Sequence, residues 1–134
     1  MTRNLLSETG NVSVANMFEY EIEENKFDLI ISIATIHHGL KSEINSLIAK
    51  IYKSLLPNGK IFITIPSPEG RLKWDTFKNN IEVGPGTYAP NSGPEKGVLH
   101  SFYSKEEIIN IFKDFKDLKI NLDKKSRWVI TGTK

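Results

Sequence analysis

The stretch from Lys26 to Ile65 constrains the fold more than any other part of the chain, because it reads as strand, helix, strand in 40 residues. In "KFDLIISIATIHH", residues 28 to 36 are apolar at both strand parities, with Ile30, Ala34 and Ile36 on one face and Leu29, Ile31 and Ile33 on the other. A strand of this kind belongs to a parallel sheet with helices on both faces. Ser42 is placed to cap a helix in which Ile44, Leu47, Ile48, Ile51 and Leu55 recur at helical spacing, and Pro57, Asn58 and Gly59 stop it. "KIFITIP" then supplies a second strand, Lys60 to Ile65, closed by a proline with no N–H for a ladder. Two parallel strands joined this way form a βαβ unit with a right-handed crossover.

The texture changes from Pro66 to His100, where five of the six prolines fall. An irregular excursion of this length in a compact domain is expected to act as a lid or to lack order, and its aromatics, Trp74 and Phe77 among them, favour a lid. Regularity returns at "YSKEEIINIFKDF". Ser104 and Glu107 have capping-box spacing, Tyr103 and Ile108 are placed to staple across the cap, and Ile108, Phe112 and Phe115 form a buried stripe. Leu118, Ile120 and Leu122 then alternate, "DKKS" turns, and "RWVITGT" returns as a final strand, which predicts a closing antiparallel hairpin.

The predicted fold class is therefore α/β, a parallel βαβ core with a C-terminal antiparallel hairpin, in a single domain spanning 1–134 with 66–100 as a lid-like insertion. Eighteen basic against sixteen acidic residues give a net charge of +2, too even to indicate nucleic acid. No apolar run approaches the roughly 20 residues of a membrane span, and none at the N-terminus resembles a secretory signal. The absence of cysteine excludes disulfides, thiolate zinc sites and a cysteine nucleophile. A cytoplasmic protein without membrane or nucleic-acid partners is expected.

"FDLIISIATIHH", "LLPNGKIFITIP" and "HSFYSKEEIINIFKDF … RWVITGTK", in that order, resemble the second half of the S-adenosylmethionine-dependent methyltransferases of the Rossmann-like class, in particular the small-molecule group called type 11. The resemblance covers roughly residues 12 to 134 and implies a partial doubly wound sheet in which "NVSVANMFEY" is the third strand and the adenine-contacting turn. S-adenosylmethionine is the implied cofactor. Ser32, Ile33 and Ala34 fall at a strand's carboxyl end, where open α/β sheets bind ligands, so the resemblance places them with His37 against the cofactor and Asn16 and Met17 near its adenine. Asn16 stands where the family commonly has aspartate. His38 and His100 are the candidates for proton acceptance, and Ser67, Trp74 and Tyr88 for contact with a small-molecule acceptor. Each also has a plainer reading: helix-start or capping histidines, a Ser-Pro loop, aromatic packing. Neighbouring histidines at a strand end are expected to point apart, and no acid stands four residues along a helix from them, so no metal site is expected.

The family's glycine-rich turn has no counterpart; "GPG" at Gly84 to Gly86 follows no predicted strand. By resemblance, the chain is expected to begin after two βα units of about 30 residues each. In the family's strand order, 3-2-1-4-5-7-6, the Leu29 strand then becomes an apolar edge. Leaving Leu29, Ile31 and Ile33 in water forfeits roughly 1.5–3 kcal/mol per side chain, against a usual total stability of about 5–15 kcal/mol. A cover is expected: residues Val12 to Met17, a second copy, or a partner chain. The alternative to methyl transfer is thus a non-catalytic methyltransferase-like module that dimerises or completes a partner through this edge.

Overall fold

The computed structural model describes residues 10–134. Strand β1 (Phe27–Ser32) leads through a short loop to helix α1 (Lys41–Ser54), and β2 (Leu55–Pro66) returns parallel to β1 with Ser32 opposite Ile63. Helix α2 (Pro68–Lys73), a 3-10 turn (Asp75–Phe77) and the strands β3 (Asn80–Gly84), β4 (Thr87–Pro90) and β5 (His100–Ser101) follow. Helix α3 (Lys105–Ile111) and the hairpin β6 (Lys116–Leu122) and β7 (Arg127–Thr133) complete the chain. The main sheet has the order β1-β2-β7-β6, and β3-β4-β5 make a small separate sheet.

The helices form where apolar spacing and capping agree. Ile44, Leu47, Ile48 and Ile51 make the buried face of α1. Its cap is Leu40 rather than Ser42: the Glu43 carboxylate accepts the Leu40 N–H at 2.9 Å, and the Ser42 side chain plays no capping role. The reason lies in the loop, which leaves helical geometry at Leu40 (ψ 149°), so the helix starts two residues earlier. The α3 capping box is complete, with Ser104 Oγ accepting from Glu107 N at 3.2 Å and Glu107 Oε2 from Ser104 N at 2.7 Å. Tyr103 and Ile108 are both fully buried as the staple requires. Ion pairing of Lys41 with Glu107, 2.6 Å apart, joins the starts of α1 and α3.

Ile61, Ile63, Ile65 and Ile130 form one core with the apolar residues of α1 and α3. The opposite face is bare. Leu29, Ile31 and Ile33 are 52%, 58% and 56% exposed and Phe62 is 37% exposed, so the expectation of a strand covered on both faces does not hold: among the described residues, α1 and α3 share a core with one face only. Two further expectations are corrected. Residues 12–17 form no strand, because the Asn16 side chain takes the Phe18 N–H at 3.0 Å in a local turn that competes with a ladder. Nor is 66–100 irregular throughout. Its glycines and tight turns build a helix and a β-hairpin, with Gly86 (φ +70°) allowing the reversal between β3 and β4.

Candidate functional site

β1 and β2 run parallel and pair regularly from Leu29 to Ser32, after a shift between Phe27 and Leu29, so their carboxyl ends lie close together. The chain leaves β1 at Ser32, and Ala34 adopts φ +50°, an uncommon conformation for a residue with a side chain. The Ala34 N–H donates to Thr64 Oγ1 of β2 at 2.8 Å, which holds this turn. Because β7 is antiparallel to β2, its first residue, Arg127, pairs with Pro66 at the same end of the sheet. Ala34, Pro66 and Arg127 accordingly line one cavity of about 240 Å³.

The turn at Ala34 redirects the next residues so that His37 and His38 lie on the same side, with ring centroids 4.1 Å apart. The expectation that they point apart fails because they sit in a loop beyond the strand, where the alternation of side chains no longer applies. His100 arrives from the small sheet. Ser101 N donates to His37 O at 2.9 Å, Ser101 Oγ donates to Gly39 O at 2.6 Å, and Thr87 Oγ1 lies 2.6 Å from Ser101 Oγ. These bonds seat β5 on the histidine loop. The His100 ring then lies 5.4 Å from His37 and 4.5 Å from His38, with Phe77 edge-on to it at 4.8 Å. A Cβ at Gly39 would meet the tip of the Phe18 ring, which would have to move to admit it.

Burial, then the neighbouring His38, His100 and Arg127, pushes the His37 imidazole down to about 3. Its Nδ1 is buried and has no hydrogen-bond partner. Burial also lowers His100, against a raising contribution from its bond to Val98 O. Arg127 is held by Asp123, whose Oδ2 accepts from both Nε and Nη2 at 2.9 Å. Burial disfavours the Asp123 carboxylate, but the bonds from Arg127 and Lys125 outweigh it and keep it below the usual carboxylate range.

Of the residues singled out in the sequence, Ala34, His37, His38, His100 and Trp74 line this one cavity. Met17 and Ser32 line a second hollow of about 470 Å³, a groove along the free edge of β1 bounded by Ile36 and Leu47. The Ser32 hydroxyl is buried and unpartnered. Ile33 is exposed, and Asn16 lies in its own turn, its carbonyl accepting from Glu19 and Tyr20. Ser67 and Tyr88 do not line the cavity with the histidines. Ser67 Oγ donates to Ser126 O at 2.7 Å in a buried bond, and the Tyr88 ring stacks under the Arg71 guanidinium at 4.2 Å. Glu95, Lys125 and Arg127 do line it. Lys125 and Arg127 follow from topology, since the turn of a hairpin antiparallel to β2 must return to the carboxyl end of β2; Glu95, in the segment before β5, carried no such signal.

Residues 2–63 match the family model described as methyltransferase domain. Phosphoethanolamine N-methyltransferase 2 of Caenorhabditis elegans is 33% identical over 69 residues, 52% of this chain and 15% of that protein. The fold is similar to a protein of Pyrococcus horikoshii OT3 (TM-score 0.74, 18% identity, 98% of this chain and 64% of that chain). It is also similar to the 1,6-didemethyltoxoflavin-N1-methyltransferase of Burkholderia thailandensis, solved with 1,6-didemethyltoxoflavin and S-adenosylhomocysteine (TM-score 0.66, 17% identity, 99% of this chain and 56% of that chain). A third likeness is to an S-adenosylmethionine-dependent methyltransferase of Methanosarcina mazei (TM-score 0.66, 16% identity, 91% and 66%). The chain spans less than two thirds of the length of each of these proteins.

Proposed function

We propose that this chain is part of a Rossmann-like methyltransferase domain, a reading that the match of residues 2–63 and the fold likenesses support, and that it serves methyl transfer from S-adenosylmethionine to a small-molecule acceptor. The observation that carries this reading is the meeting of three imidazoles and the Trp74 and Phe77 rings at the shared carboxyl end of β1 and β2. That is where an open α/β sheet holds its ligand. The groove along β1 is within the size range of small-molecule sites, and the orphaned Ser32 hydroxyl in its wall fits a polar cofactor. In this reading Ser32, Ile33, Ala34 and His37 face the methionine part, and Asn16 and Met17 the adenine.

The cofactor supplies an electrophilic methyl group on a sulfonium. The chain supplies position, which for a displacement of this kind accounts for much of the rate. S-adenosylmethionine held by Ser32, Ile33, Ala34 and His37 would supply its methyl group to the acceptor atom and leave as S-adenosylhomocysteine, its sulfur keeping the electron pair of the broken bond. His38, half-buried and ringed by the other two imidazoles, takes the acceptor's proton, with His100 as the second candidate. Trp74 and Phe77 provide the apolar wall for the acceptor, and the segment 66–100 closes over it.

A second reading rests on the exposed Leu29, Ile31 and Ile33: a non-catalytic module that dimerises, or completes a partner chain, through the β1 edge. Calorimetric titration of the chain with S-adenosylhomocysteine, run beside sedimentation, separates the two. The enzyme reading predicts saturable one-to-one binding, weakened about 2- to 10-fold by Ser32→Ala through loss of one hydrogen bond. No binding by a stably self-associated chain overturns it in favour of the module.

A further inference from the structure

We propose that His37, His38 and His100 form a binding site for one divalent transition-metal ion, of which Zn²⁺ is the type. A bound ion takes the single lone pair through which His38 or His100 would accept a proton, so the metal-bound chain is a state separate from the one proposed for methyl transfer, and the metal test below does not depend on cofactor binding. The chain has three histidines, and the fold brings one ligand nitrogen of each within 4.8 Å of the others. His37 and His38 are adjacent and His100 comes from a distant part of the chain, held to them by the bonds of Ser101 to His37 O and Gly39 O. Three imidazole nitrogens with an open fourth position make a donor set suited to zinc and its neighbours in the first transition row.

Two features prepare the rings as ligands. His38 Nδ1 lies 3.3 Å from Leu99 O and His100 Nδ1 2.9 Å from Val98 O. A carbonyl oxygen only accepts, so each Nδ1 carries the proton and each Nε2 presents a lone pair, which is the second-shell arrangement that orients metal-bound histidine. His37, more than nine-tenths buried, has an Nδ1 with no hydrogen-bond partner among the described residues. A buried nitrogen that bonds to nothing costs stability, and a bound ion removes that cost.

Two cations, Lys125 and the Asp123-paired Arg127, line the cavity and oppose a dication, so the three imidazoles have to outweigh them. Glu95 Oε2 lies 3.5 Å from His100 Nε2 and adds a negative charge at the rim. Zinc–nitrogen bonds of about 2.0–2.1 Å require tetrahedral ligands roughly 3.3 Å apart, so side-chain rotation of about 1.5 Å closes the widest separation.

The test follows the three imidazole Cε1–H resonances of metal-free protein by NMR as Zn²⁺ is added, with Co²⁺ absorption as a second readout. All three resonances are expected to shift together and saturate at about one ion per chain, and Co²⁺ to develop visible bands of a four- or five-coordinate site. His100→Gln is expected to weaken binding about 100-fold or more, while the exposed Glu69→Gln leaves it unchanged; circular dichroism verifies that both fold. Resonances that shift singly, or not at all, overturn the site. So does Co²⁺ binding that survives His100→Gln undiminished.

Discussion

Truncating Tyr103 to alanine is expected to lower the unfolding free energy by about 3–5 kcal/mol, measured by urea denaturation. Its ring is among the largest fully buried side chains and lies in the same core cluster as Ile44, Ile108 and Phe112. It staples the start of α3, its backbone carbonyl accepts the Trp128 indole N–H at 2.7 Å, and Lys41 sits 4.8 Å above the ring. An alanine leaves a cavity between both helices and the sheet, a loss comparable with the whole stability of a small domain. Tyr103→Phe removes only the 3.3 Å bond from the hydroxyl to Asn45 Oδ1 and is expected to cost less than about 1.5 kcal/mol. A large loss for the phenylalanine variant would mean that polar contacts, and not packing, hold this junction.

Acid is expected to destabilise the metal-free chain through His37. Its folded-state value, about 3, lies well below the 6.5 of an unperturbed imidazole. The unfolded chain therefore binds the extra proton first, so the stability contribution is fully present above about pH 6.5 and is lost as pH falls from there toward 3. The groups facing the ring do not rescue its charged form: His38, His100 and Arg127 oppose it, Lys125 lines the same cavity, and Glu95 is the acid on that wall. Between pH 7.5 and pH 5 the expected loss from this group is about 2 kcal/mol. Denaturation curves in chelator at the two pH values measure it, and His37→Asn is expected to shrink the difference. An equal pH dependence in that variant would place the acid-sensitive group elsewhere.

Much of this was readable before any coordinates. The βαβ unit, the Ser104–Glu107 capping box and the final hairpin depend on local spacing and caps, and β7 occupies the predicted residues Arg127–Thr133. Ser42, residues 12–17 and the interior of 66–100 were misread for a common reason. Each was decided by a competing contact, such as Glu43 on Leu40 N or the Asn16 turn, that propensity does not weigh. The site was legible as separate histidines and not as a cluster. His100 reaches His37 only through the Ser101 bonds, which span more than 60 residues of sequence. Arg127 required knowing that β7 runs antiparallel to β2. The exposure of Leu29, Ile31 and Ile33 follows from the strand order that the resemblance implies, which makes β1 an edge, and not from apolar patterning, which reports what prefers burial and not what is there to cover it.

The most direct test of the account is amide hydrogen exchange of the chain with and without saturating S-adenosylhomocysteine. Slowed exchange concentrated at residues 32–38, with weaker effects at 16–17 and around Ser67, is the result expected if the joined ends of β1 and β2 hold the cofactor. Slowed exchange confined to other segments, such as the β6–β7 hairpin, with residues 32–38 unchanged, would contradict it.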